Sequence, residues 1–217
     1  MNPWYRFWRF WVMLYFRLYH KLECYHPERV PRKGAFILAV NHMSYLDPPL
    51  VGACCPREIY YMGRKSLFRF WWSNFVLRSV NVLPVDLEGS GAAALKTTVR
   101  LLERGQGIVM FPEGTRSPDG KLLEPQPGLG WIAVKTGAVV IPVRVWGTNL
   151  AMPKHGKRQR AYLEVKFGKM LRFKESDLSG DRKAASERIA KSIMKEIAAL
   201  EPHLDREQDP EKNNPNP

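Results

Sequence analysis

The chain has 217 residues, 45% of them apolar, which suits one α/β domain with a core of ordinary size. Thirty-four Lys and Arg against 21 Asp and Glu leave a formal charge of +13, so the expected partner is acidic: a membrane surface, nucleic acid or a phosphorylated substrate. Cys24, Cys54 and Cys55 lack any CxxC or Cys/His spacing suited to zinc, so the expectation is reduced thiols in packing roles, with no metal and no disulfide.

Residues 1–26 look superficially like a membrane anchor. Their longest uncharged stretch, Phe10 to Phe16, falls far short of the roughly 18 residues a spanning helix needs, and no small-residue cleavage site follows. Placed at about 100° per residue, Arg6, Arg9, Arg17, His20 and Lys21 fall within roughly 120°, while Trp4, Phe7, Trp8, Trp11, Leu14, Tyr15, Leu18 and Leu22 take the other side. That pattern predicts an amphipathic, membrane-associating helical segment over residues 1–26. Its aromatic rings would sit at the headgroup boundary of an anionic membrane, peripheral on the cytosolic face. A helix packed on its own domain with a solvated basic face fits the same pattern, and both can hold in part.

Beyond Pro27 and Pro31, the run Ala35 to Val40 reads as a buried strand. Further strands are expected at Glu58 to Met62, Val82 to Val85, Gly107 to Phe111, Val139 to Val145 and Tyr162 to Phe167. Helices are expected at Tyr45 to Cys54, Lys65 to Arg78, Gly91 to Arg104, Gly128 to Thr136 and Arg182 to Leu200. Alternating strands and helices predict an α/β fold over residues 27–200, with a central, largely parallel or mixed sheet flanked by helices. Residues 201–217 turn polar and proline-bearing and read as a disordered tail.

Two segments carry chemistry, each just after an expected strand, where α/β folds place their ligands. The first is Asn41-His42-Met43-Ser44-Tyr45-Leu46-Asp47. Ser44 and Asp47 match a capping box, which would put Asp47 in the first turn of the next helix. In an uninterrupted helix a spacing of five splays two side chains roughly 140° apart, but His42 lies before the cap on a turning backbone, so contact with Asp47 is feasible. A carboxylate accepting the imidazole N–H fixes the tautomer and leaves the other nitrogen free to take a hydroxyl proton. The second segment is Phe111-Pro112-Glu113-Gly114-Thr115-Arg116-Ser117. Gly114 frees the backbone to bring amides towards an anion, and Arg116 offers a planar fork matched to phosphate. Glu113 has two open roles, holding an acceptor hydroxyl or positioning Arg116.

In this pairing and order the two segments resemble the glycerolipid acyltransferases, the branch that acylates 1-acylglycerol-3-phosphate above all. Arg64-Lys65-Ser66-Leu67-Phe68 with Leu83-Pro84-Val85, and Val140 to Gly147, are similar to two further blocks of that family. The resemblance implies a catalytic domain over residues 27–200 in which a fatty acyl group passes from acyl-CoA or acyl carrier protein to the free hydroxyl of a lysophospholipid, with no cofactor. It implies His42 as base, Asp47 as its partner, Glu113, Gly114, Thr115 and Arg116 as the acceptor-phosphate site and Lys65 as a second basic contact. A glycolipid or aminolipid acceptor is the alternative. The family's usual glycines in its second block become Asn74 and Asn81, the next best residue for left-handed backbone. Asp86 and Leu87 stand where a basic residue often follows, and Pro127-Gly128 replaces a Lys-Gly or similar step.

No G-x-S-x-G elbow is present, and Gly89-Ser90-Gly91 has the wrong context for one, which disfavours a serine acyl-enzyme. Cys54 and Cys55 are expected to pack, and His20, His26, His155 and His203 to lie at the surface. The run Lys154 to Arg160 would suit the phosphates of nucleic acid, but most aromatics lie away from it and no recognised nucleic-acid-binding pattern accompanies it, so no nucleic-acid partner is expected.

Overall fold

Five consecutive apolar residues, Phe36–Val40, form strand β2, and all five are buried. Phe36, Leu38 and Val40 enter one core while Ile37 and Ala39 enter another, so β2 is apolar on both faces. Such a strand belongs in the middle of a parallel sheet covered by helices on either side. In the computed structural model, which describes residues 1–85, 91–153 and 156–203, β2 pairs in parallel with β5 (Gly107–Met110) and with β6 (Val139–Trp146).

The sheet has seven strands in the order β1 (Leu22–Tyr25), β7 (Leu163–Phe167), β6, β2, β5, β3 (Ile59–Arg64), β4 (Val82–Val85). Strands β6, β2, β5, β3 and β4 run parallel, β7 is antiparallel to β6, and β1 is parallel to β7. This is the expected α/β architecture with a mixed, largely parallel sheet. Helices α1 (Pro3–His20) and α2 (Asp47–Cys54) cover one face, and α4 (Ala92–Glu103), α5 (Gly128–Thr136) and α7 (Arg182–Ala198) the other. Two further helices, α3 (Trp71–Ser79) and α6 (Thr148–Ala151), follow β3 and β6.

Several expectations need correction. The N-terminal helix stops at His20, where Lys21 adopts left-handed backbone (φ 50°), and residues 22–25 form edge strand β1 instead of continuing the helix. Four residues are too few to show a period, and their pairing with β7 is tertiary. The helix expected over Lys65 to Arg78 is broken into a 3₁₀ turn, Lys65–Phe68, and α3, with Phe70 extended between them. Asn81 has the expected left-handed backbone (φ 61°), whereas Asn74 is helical and accepts a hydrogen bond from Arg78 Nε. Asp86, Leu87, Gly89, Ser90, Lys154, His155 and the tail from residue 204 lie outside the described residues. Residues 201–203, where the tail was expected to begin, are tied down, since Lys166 Nζ donates to the Glu201 carbonyl and the His203 amide donates to Glu164.

Helix α1 docks by the arc that carries Tyr5, Arg9, Val12, Met13, Phe16 and His20. Arg9 and His20 therefore face the domain rather than solvent. His20 is buried under the hydroxyl of Tyr15, and burial lowers its pKa. The opposite arc is the aromatic one, and Trp4, Phe7, Phe10, Trp11, Tyr15 and Leu18 are exposed on it. Among the described residues no helix is long and apolar enough to cross a membrane.

Candidate active site

The parallel strands bring their carboxyl ends to one edge, and the two chemical segments meet there because β2 and β5 are neighbours. Asn41 extends the β2–β6 ladder with its side chain: Nδ2 donates to the Val145 carbonyl at 3.1 Å and Oδ1 accepts from the Val145 amide at 2.8 Å. The backbone is thereby free to turn away from the sheet at the next residue.

That residue, His42, is held at both backbone groups by the second segment. Its N–H donates to Glu113 Oε1 at 2.8 Å, and its carbonyl accepts from the Ser117 N–H at 2.8 Å. The imidazole stacks on Phe111, centroids 4.0 Å apart. Nδ1 lies 2.8 Å from Asp47 Oδ2. The same oxygen accepts the Met43 and Ser44 amides, both at 2.7 Å, and Oδ1 accepts the Thr148 hydroxyl at 2.5 Å. Asp47 is fully buried at the first position of α2, where the helix dipole favours an anion. A carboxylate receiving two amide N–H groups is acceptor-only, so Nδ1 carries a hydrogen and the neutral ring has its lone pair on Nε2.

The expected capping box is half formed. Asp47 accepts the Ser44 amide, but the N-cap is Leu46, and the Ser44 hydroxyl accepts instead from Leu46 N–H and donates to the Met152 carbonyl.

Glu113 is fixed to backbone through both ends of its carboxylate. Its second oxygen accepts the Leu123 amide at 3.1 Å, so both carboxylate oxygens hold backbone and the side chain is buried. Burial raises its pKa, against the pull of the two amides. Glu113→Gln sets an NH₂ against an N–H at one of those amides, and the variant is expected to lose about 1–3 kcal/mol of stability. A chemical-denaturation midpoint equal to that of the parent would remove Glu113 from this tying role.

Gly114 turns the loop in left-handed conformation (φ 70°), which costs glycine little. Thr115 is exposed, and the Arg116 guanidinium lies over the Tyr45 ring, its Cζ 3.6 Å from the centroid, joining the two segments a second time. Lys65 is exposed at the carboxyl end of β3, the strand next to β5. Cys54 and Cys55 are buried, and burial pushes the Cys55 thiol up to about 11, away from the thiolate a nucleophile needs.

Thr148 and Tyr45 escaped the sequence reading. Thr148 reaches Asp47 because Gly147 (φ 81°) turns β6 into α6 where any Cβ would collide with the Tyr162 carbonyl. A Gly-Thr step after a buried strand was the available signal.

A buried carboxylate, an imidazole paired to it through one nitrogen and a half-exposed guanidinium, all at the carboxyl edge of a parallel sheet, define an α/β protein equipped for group transfer. The chain belongs to the acyltransferase family, whose model matches residues 21–146. It is 31% identical over 121 residues to a 1-acyl-sn-glycerol-3-phosphate acyltransferase of Bacillus subtilis, covering 55% of each chain. A protein of the same description from Streptococcus pneumoniae is 24% identical over 211 residues, 94% of this chain and 75% of that one. The fold matches the crystal structure of the 1-acyl-sn-glycerophosphate (LPA) acyltransferase PlsC from Thermotoga maritima with a TM-score of 0.73 at 26% identity, over 91% of this chain and 81% of that one. The chain spans about half the length of the first curated relatives it matches.

Proposed function

We propose that this protein transfers a fatty acyl group from an acyl thioester, acyl-CoA or acyl carrier protein, to the free hydroxyl of 1-acylglycerol-3-phosphate, yielding phosphatidic acid. The observation that carries the reading is the His42–Asp47 pair, fully buried at its carboxylate and partly exposed at its imidazole. Nε2 takes the acceptor's hydroxyl proton as its oxygen bonds to the thioester carbon. The tetrahedral intermediate then collapses, the C–S bond breaks, and the departing thiolate receives that proton from the imidazolium. Asp47 steadies the charged ring, and Thr148 steadies Asp47. Arg116, Gly114, Thr115 and Lys65 receive the acceptor's phosphate. Glu113 acts by holding the His42 backbone.

The experiment is incubation of the purified protein with lysophosphatidic acid and radiolabelled acyl-CoA or acyl carrier protein. Labelled phosphatidic acid is the expected product. A preference for a phosphate-free acceptor would overturn the acceptor assignment, and no ester product with any hydroxyl lipid would overturn acyl transfer.

On this reading the reaction takes place at the cytosolic face of a membrane, where anionic lipid would attract the +13 chain. Helix α1 supports this, since its exposed aromatic arc points away from the domain. Replacing Trp4, Phe7, Trp11 and Leu18 by serine leaves Tyr5, Phe16 and His20 in place and is expected to weaken binding to anionic vesicles at least about tenfold. Arg6→Gln with Arg17→Gln should weaken binding to anionic vesicles more than to neutral ones, because only the Coulomb contribution is removed. Unchanged sedimentation of the serine variant would refute the seat.

A further inference from the structure

The apolar face of α1 does not end with that helix. Trp4 meets Phe75 of α3 edge to face, centroids 5.6 Å apart. From Phe75 the exposed apolar surface runs on through Trp72, Trp71 and Phe70 to Leu67, and Trp71 is 83% exposed. Phe70 and Trp72 stack on each other at 6.0 Å, outside the core. A contiguous aromatic patch of this kind marks an interaction surface.

Charge identifies what it meets. Residues 1–22 and 59–85 contain none of the chain's 21 acidic residues, yet they hold eight Lys and Arg and five of its seven tryptophans. Arg64, Arg69 and Arg78 are exposed around the α3 patch. Glu58, which binds the amino end of α1 and Asn81, lies just outside these segments. Tryptophan beside a surplus of cations suits the headgroup level of an anionic bilayer. A second copy of the chain is a poor occupant, because a self-complementary contact would set this basic face against itself. We infer that Phe70, Trp71, Trp72 and Phe75 form a second membrane-inserting element, continuous with α1, that seats the protein on anionic lipid along two helices.

Contact at two helices stops rotation about the α1 axis. Since α3 follows the carboxyl end of β3, the bilayer then borders the edge where His42 and Arg116 stand. On the acyl-transfer reading, a lipid acceptor reaches the site along that border.

The test uses the full chain and vesicles of brominated phosphatidylcholine with phosphatidylglycerol, and contains no substrate, so its result is separate from whether acyl transfer is the reaction. In the variant W4F/W8F/W11F, the tryptophans left are Trp71, Trp72, Trp131 and Trp146. Bromine should still quench a large part of its emission, and adding W71F/W72F should abolish that quenching while binding persists. The variant W71A/W72A should bind these vesicles about tenfold or more weakly, with affinity restored in W71F/W72F. Vesicle-bound W4F/W8F/W11F protein whose emission bromine does not quench would overturn the inference. So would light scattering that shows a dimer dissolved by W71A/W72A, since the patch would then be a protein interface.

Discussion

Replacing His42 by alanine is expected to lower turnover about 10²–10⁴-fold, the usual contribution of a general base, while the Michaelis constants change little. The split follows from geometry: the ring packs on Phe111 and is fixed by Asp47, and its free nitrogen acts only as the hydroxyl gives up its proton. Asp47→Asn should be severely impaired too. Its two oxygens meet four donors between them, three at Oδ2 and one at Oδ1, and an amide NH₂ in place of either carboxylate oxygen faces a donor it cannot accept from. The imidazole is then free to adopt the wrong tautomer. The double variant should be little worse than His42→Ala, because the two residues act as one unit. Thr148→Val keeps shape and removes one donor to Asp47, so its loss should be smaller than that of Asp47→Asn. Steady-state kinetics of these four variants decide the matter. An active His42→Ala protein, or a radiolabelled acyl-enzyme trapped at Ser44 by rapid quenching, would remove direct transfer.

Arg116→Lys is expected to raise the Michaelis constant for a phosphorylated acceptor about tenfold, with that for the acyl donor almost unchanged. A guanidinium binds phosphate through two parallel hydrogen bonds, and an ammonium replaces them with a point charge. The loss of one charge-assisted bond, about 1.5–3 kcal/mol, sets the scale. Tyr45 sharpens the prediction, because the flat guanidinium rests on its ring and lysine has no plane to stack. Tyr45→Ala should therefore shift the same constant in the same direction by a smaller factor. Equal acceptor constants in parent and Arg116→Lys would take Arg116 out of the phosphate site.

The strands and both chemical segments were legible because their signals are local. Phe36–Val40 is a buried strand in any context, and an Asn-His segment after it with a carboxylate five residues on carries its chemistry in its composition. The pairing of His42 with Asp47 was within reach for the same reason, since the two lie on one turn of chain.

Other features belong to tertiary structure. Residues 22–25 became a strand because β7 offers them an edge, and no four-residue stretch announces such a partner. Glu113 holds the His42 backbone because β2 and β5 are neighbours, a fact of strand order across about seventy residues. Thr148 serves Asp47 from the start of α6, just past the end of β6, which lies on the other side of β2 from β5. The helical period of α1 gathered its exposed aromatics on one arc but put Arg9 and His20 on the basic face, whereas both lie on the docked arc. Which face docked was decided by the surface it met, where Tyr5 and Phe16 found a core and left the aromatic arc outside. Sequence by itself determined the fold class and the chemistry on offer, because secondary structure and reactive groups are properties of short segments. Tertiary structure decided what each carboxylate holds and which apolar surface stays exposed, because hydrogen-bond partners and burial depend on groups that only folding brings together.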